Sequence, residues 1–245
     1  MQRGWTSSRP FVSLQTRTSS CAGMCPFPSM NPWSTASDSV SFPWFREALP
    51  SVPTTLVLIR HGEIVRPTDT SNFDPVSLSE RGRSQIETLV RAWPVARPSV
   101  VYSSPLPRAL ETARVLGEAF GTSPVVKSCL YEWAADTSGI PQTEYVALEG
   151  RAWSDLDFVP PSGESLGMAA IRSRSCIEAI AERHRDDTIA VAGHGTVFSL
   201  VASELKGVRP TPEYKASIGF GHAAILSADS GLRLLRDFAP YGSVA

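Results

Sequence analysis

"TLVLIRHGE", Thr55 to Glu63, sets four unbroken apolar residues, Leu56 to Ile59, directly before an arginine, a histidine and a glycine. An uninterrupted apolar run of this length suits a strand of a parallel sheet covered on both faces. "IAVAGHGTV", Ile189 to Val197, has the same form: an apolar run, then His194 and Gly195. In open α/β sheets, ligands sit beyond the carboxyl ends of the strands. Two imidazoles delivered in this way, more than a hundred residues apart, point to one site.

Working outward, strands and helices alternate. A polar loop over 64–77 precedes a helix from Ser77 to about Trp93, where Ser77 and Glu80 match the S-x-x-E capping box. Gly82 within it costs about 1 kcal/mol relative to Ala, so close packing is its expected reason. Ser99–Ser103 reads as a second strand. Ser104-Pro105 then opens a helix as cap and first residue, with Leu106, Ala109, Ala113, Leu116 and Phe120 as its apolar stripe and Gly121 as its stop. Val125-Val126 begins a third strand. The segment 134–162 reads as irregular, and a long helix follows from Glu164 to His184. A strand over Thr188–Ala192, a helix over Thr196–Lys206, and two strands near 217–226 and 231–237 complete the chain. This order predicts an α/β domain, three layers α/β/α around a mostly parallel sheet.

The chain has 245 residues, enough for one sizeable α/β domain. Its 23 basic and 24 acidic residues leave a formal net charge of −1, without the basic excess of a nucleic-acid or membrane-surface binder. No run of 18 apolar residues predicts a transmembrane helix. Residues 1–50 read as a disordered or extended segment preceding a catalytic domain over 51–245. No Asp or Glu precedes Asp38, and Arg and Ser are frequent. A cytoplasmic location is therefore the expectation, with organelle import through this segment as the alternative. Trp44 and Phe45 are candidates for an arm packed on the domain. Cys21, Cys25, Cys129 and Cys176 suggest no disulfide framework, and Cys21 and Cys25 lack a second ligand pair for a metal.

The residues just past the strand ends are the site candidates: Arg60, His61 and Gly62; Ser103 and Ser104, with Arg108 in the following helix; Glu132; and His194 with Gly195. Two guanidinium forks beside imidazoles match the oxygens of a phosphoryl group. Helix N-termini near Pro105 and Thr196 would add amides and positive dipole ends. A neutral imidazole is a competent nucleophile near pH 7, and a carboxylic acid can protonate a leaving oxygen. No metal or cofactor is required if cations carry the transition-state charge. Neither H-E-x-x-H nor a phosphate-binding G-x-x-x-x-G-K-[ST] loop occurs. Asp136 and Glu144 are the reserve acids, and Glu63 is placed on the rim. His184 and His222 read as packing or surface residues, and Arg172–Arg174 as a solvated helix face.

"LIRHGE" (58–63), "SSPLPRALETA" (103–113), "PSGES" (161–165) and "AGHGT" (192–196) together resemble the histidine phosphatase superfamily, its phosphoglycerate-mutase-like group. The resemblance covers about residues 55–207. It implies that His61 is the phosphorylated nucleophile, that Arg60, Arg108 and His194 hold the phosphoryl oxygens, and that Glu132 is the proton donor. It also implies that the Gly62 carbonyl fixes the His61 tautomer. Ser103, Ser165 and Gly195 are lesser candidates for lining the pocket.

The family's mutases carry a Trp-Asn pair after R-H-G and an Arg-His-Tyr-Gly pattern after the acid. This chain has "EIVRPTD" (63–69) and "WAADTSG" (133–139) there. Net hydrolysis of a small-molecule phosphate ester is the expectation, with a mutase or a non-catalytic phosphate-binding module as alternatives. Residues 134–162 read as a lid. Its Trp133, Tyr145, Trp153 and Phe158 either wall the leaving group or hold the lid down. Oligomeric state is not legible.

Overall fold

The computed structural model describes residues 53–242, Asp69 excepted. The expectations for residues 1–50, including the arm at Trp44 and Phe45, lie outside the described residues, as do those for Cys21 and Cys25. Six strands form one sheet: β1 (Thr54–Arg60), β2 (Val100–Ser103), β3 (Val125–Val126), β4 (Thr188–Gly193), β5 (Ala223–Ala228) and β6 (Leu232–Ala239). Their order is β3-β2-β4-β1-β5-β6, with the first four parallel and the last two antiparallel. The sheet is mostly parallel, as the alternation of elements predicts.

The apolar runs are explained by the two faces of the sheet. Alternate residues of a strand point to opposite sides. Leu56, Leu58, Ile189 and Val191 enter one core with Ile177 and Ile180 of α4 (Leu166–Arg183) and Val197 and Leu200 of α5 (Gly195–Leu205). Val57, Ile59, Ala190 and Ala192 enter the other with Ile86 and Leu89 of α1 (Glu80–Arg91) and Ala113 and Leu116 of α2 (Pro107–Phe120). Both faces being covered, no polar residue interrupts Leu56–Ile59.

Register places the site. In the parallel pair β1/β4, Arg60 lies opposite Gly193, so His61 and His194 are the next residues off adjacent strand ends. Ser103 of β2 lies opposite Ala192, so Ser104 emerges on their other side.

Several boundaries differ from expectation. Ser79, not Ser77, caps α1, accepting from the Gly82 amide. Helix α2 starts at Pro107, not Pro105, with no side-chain cap from its N-cap residue Leu106; the Ser104 hydroxyl accepts from the Leu106 amide just ahead of the helix and also pairs with His194. The segment 134–162 is not wholly irregular: α3 (Gln142–Ser154) occupies its middle. A short α6 (Pro212–Ser217) precedes β5, which begins at Ala223 rather than near 217. Cys129 and Cys176 form a disulfide with Cα atoms 5.8 Å apart, contrary to the expectation of no disulfide framework. The 3₁₀ turn Ser128–Leu130 packs on α4, and that contact closes a separation of 47 residues. No helix among the described residues is long and apolar enough to cross a membrane.

Candidate active site

His61 follows β1 with its amide bonded to the Gly193 carbonyl, 2.9 Å. Its ring is buried, and its Nδ1 lies 2.8 Å from the Gly62 carbonyl. A carbonyl only accepts, so Nδ1 carries the proton and Nε2 keeps its lone pair. Burial first, then the Arg108 charge, pulls the His61 pKa down to about 3, against the Gly62 bond, which opposes the shift. The imidazole is therefore neutral. Its ring lies 5.4 Å from that of His194, edge to face.

His194 is fully buried at the head of α5. Its Nε2 is 2.7 Å from the Ser104 hydroxyl, and its Nδ1 has no partner among the described residues. Burial, followed by the charge of Arg108, holds its pKa well below the ordinary value. Ser104 thus orients a histidine instead of capping a helix.

The two arginines arrive from different elements. Arg60 ends β1; its guanidinium donates to the Ile218 carbonyl and lies 4.2 Å from the centre of the Phe220 ring. Its Nε is buried without a partner among the described residues. Burial lowers its pKa to about 10 despite the Glu132 carboxylate. Arg108, in the first turn of α2, donates to the Phe73 carbonyl at 2.6 Å, and burial lowers its pKa as well. A Cβ on Gly195 would stand 3.2 Å from Arg60 Nε, so this glycine makes room for the guanidinium.

Glu132 approaches from the segment after the 3₁₀ turn. Its carboxylate accepts from the amides of Trp133, Thr196 and Val197 at 2.9, 3.1 and 3.2 Å. The expectation of open amides at Thr196 is corrected here: this helix N-terminus holds the carboxylate, a favourable place for negative charge. Arg172 fixes the same segment. It pairs with Glu164 and donates to the carbonyls of Cys129 and Tyr131. Arg172–Arg174 is therefore not a plain solvated face; Ser173 between them is fully buried, and Arg174 pairs with Glu178 and Glu204.

A cavity of about 170 Å³ is lined by Arg60, His61, Arg108, Glu132, Thr196 and Phe220, among others. Of the other candidates, Asp136 reaches it but is committed. It accepts from Ser162, Ser138, Gly139 and Ile140, and those bonds, Ser162 foremost, draw its pKa down to about 2. Glu144 is exposed in the first turn of α3. Glu63 pairs with Arg81 and lies outside the cavity lining. Ser103 is buried against the Ser104 carbonyl and Ser165 caps α4, so neither lines the cavity. Gly62 lies back to back with Gly82 of α1. His184 packs against the Tyr102 hydroxyl and His222 accepts from the Gly219 amide, both as expected of packing residues. Trp133 and Trp153 are buried in the core below, with Phe158 and Tyr145 packed against it; of the four, Trp133 and Tyr145 also line the cavity. Phe220, Arg66 and Lys215 line it too and carried no recognisable motif. Among the described residues, no group of three or more His, Cys, Asp or Glu is placed to hold a metal ion.

Residues 56–235 match the family model of the histidine phosphatase superfamily (branch 1). The chain belongs to that superfamily. It is a phosphatase enzyme with the superfamily's α/β fold. Its relatives include a metal-independent phosphoserine phosphatase of Arabidopsis thaliana, 25% identical over 65% of this chain and 72% of that one. A 2,3-bisphosphoglycerate-dependent phosphoglycerate mutase 2 of Gloeobacter violaceus is 30% identical over 69% and 86%. The structure of a mycobacterial glucosyl-3-phosphoglycerate phosphatase with VO3 superposes with a TM-score of 0.61 at 25% identity, covering 77% of this chain and 99% of that one.

Proposed function

We propose that this phosphatase hydrolyses a small phosphate monoester in two steps through a phosphohistidine at His61, without a metal ion. In the first step Nε2 of His61 attacks phosphorus, and the P–O bond to the leaving alcohol breaks. Glu132, as the carboxylic acid, gives its proton to the departing oxygen. In the second step the Glu132 carboxylate takes a proton from water. The hydroxide so formed displaces phosphate from His61 and regenerates the imidazole.

Arg60, Arg108 and His194 receive the phosphoryl oxygens. Ser104 pairs with His194 Nε2, and His194 Nδ1 and Arg60 Nε are left without partners among the described residues. Fixed donors in a buried site stabilise developing charge without reorganising. The relatives named as phosphoserine and glucosyl-3-phosphoglycerate phosphatases support hydrolysis, as do "EIVRPTD" and "WAADTSG" in place of the mutase patterns. Residues 51–245 form the catalytic domain in this reading, and 134–162 its lid, with Tyr145 toward the leaving group.

The observation that carries the reading is the neutral, buried His61, its Nδ1 committed to Gly62 and its Nε2 left for phosphorus between two arginines. The test is turnover of p-nitrophenyl phosphate with acid-quench labelling of the enzyme. An acid-labile label is expected, absent in His61→Ala, with turnover unchanged by a chelator. Turnover without label on His61, or loss of activity on chelation, overturns the reading.

A further inference from the structure

The cavity around His61, about 170 Å³, is lined by charged side chains, Arg60, Arg66, Arg108, Glu132 and Asp136 among them. It adjoins a second cavity of about 640 Å³, with Arg60, Arg66, Glu149, Lys215 and Phe220 common to both linings. We propose that this groove between α3 and α6 receives the leaving group, and that the substrate is a phosphate monoester of a ring-bearing, largely apolar alcohol or phenol. The inference rests on the phosphatase reading of the adjoining pocket.

Apolar residues stand on both helices, while the charged residues Arg60, Arg66, Glu149 and Lys215 lie along the edge shared with the phosphate cavity. Val146, Gly150 and Trp153 fall at i, i+4 and i+7 on one stripe of α3, and Pro212 and Ala216 of α6 face the same space. The Phe220 ring stands between the cavities, over the Arg60 guanidinium on the phosphate side. Lys215 and Glu149 bridge the two helices at 2.9 Å, so these charges are committed to each other. A leaving group of serine size would leave most of this volume to water. An apolar ring body would displace that water from apolar walls, which is favourable in proportion to the area covered.

Gly150 supplies an independent observation. Glycine inside a helix costs about 0.5–1 kcal/mol relative to alanine. At Gly82 and Gly117 such glycines are forced by close backbone contact. At Gly150 an added Cβ would meet nothing within 4 Å. Packing does not require this glycine; its missing side chain keeps the groove wide.

The test compares phenyl phosphate with 2-naphthyl phosphate, whose leaving groups are of similar acidity and differ by one fused ring. In the unaltered full-length enzyme, kcat/KM should favour the naphthyl ester by about tenfold or more. Gly150→Phe and Ala216→Trp fill the groove from opposite helices. Each should bring the ratio near unity, with the larger loss on the naphthyl ester, and leave competitive inhibition by inorganic phosphate within about twofold. If Gly150→Phe disturbs α3, inhibition by inorganic phosphate weakens as well, and Ala216→Trp, on an exposed position of the other helix, decides. Equal kcat/KM for the two esters in the unaltered enzyme overturns the groove's role, as does a ratio untouched by filling it. Failure to turn over phenyl phosphate at all would strike the phosphatase reading itself.

Discussion

Glu132 has two possible uses for its carboxylate. Three amides, two of them from the first turn of α5, make it a plausible cap of that helix, and the cavity it lines makes it an acid. Glu132→Gln separates the two, because glutamine keeps one acceptor oxygen and loses the titratable proton. As general acid, Glu132 should contribute about 10²–10⁴-fold for an alkyl phosphate and within about tenfold for p-nitrophenyl phosphate, whose leaving group needs little protonation. Steady-state rates on the two esters check this, and equal losses on both would mark Glu132 as a cap alone. At this scale the sequence reveals residue types better than their engagements. His61, His194, Arg60 and Arg108 are legible because each directly follows a strand or opens a helix. Ser104 is misread as a helix cap because its partner, the His194 ring, is 90 residues away. Asp136 looks like a spare acid until the four donors that hold it as an anion are in place.

Among the elements, the junction between β1 and α1 most directly sets the nucleophile. A Cβ on Gly62 would fall 2.3 Å from the Gly82 carbonyl oxygen, and one on Gly82 would fall 2.1 Å from the Glu63 oxygen. The two backbones touch, which supports packing as the reason for a glycine inside α1. Helix propensity alone predicts that Gly82→Ala gains about 1 kcal/mol. The contact predicts the opposite sign: a loss of about 1–3 kcal/mol, as for other overpacked sites. It also predicts slower phosphorylation, since the shifted loop carries the carbonyl that orients His61. Denaturant unfolding and the pre-steady-state burst measure the two effects; a stabilised variant with an unchanged burst would contradict the contact. Helices α1 and α2 are legible from a capping-box pattern near the start of the first and an apolar stripe ending at Gly121 in the second. Helix α3 is not: only Ala152 and Trp153 of it are buried, and Pro141 precedes it where a hydroxyl cap would have signalled a start. The clasp of Arg172 on the Cys129–Tyr131 segment is a tertiary contact that helical periodicity cannot show.

For the whole molecule, the near-neutral net charge conceals an uneven interior, with two neutral histidines buried beside two arginines. That arrangement has a thermodynamic cost as pH falls. The folded chain keeps His61 neutral down to about pH 3, whereas the unfolded chain protonates it near 6.5. Between those values the unfolded state binds a proton that the folded state refuses, so stability rises with pH there and falls on acidification. Above about pH 7 both states are neutral at this residue, and it adds no pH dependence. One such histidine contributes a slope of about 1.4 kcal/mol per pH unit. His194, shifted in the same direction, adds to it. Asp136, with its lowered pKa, loses its contribution only as pH falls through the carboxylate range. Unfolding free energies between pH 7 and 5 therefore isolate the histidines. The unaltered chain should lose stability steeply across that window. In His61→Asn the slope below pH 6.5 should be shallower by about 1.4 kcal/mol per unit, while the His194 and His222 contributions remain. Parallel curves for the two proteins would mean that His61 takes up its proton in the folded state near the ordinary pH. In that case its imidazole would not be held neutral by burial and the Arg108 charge.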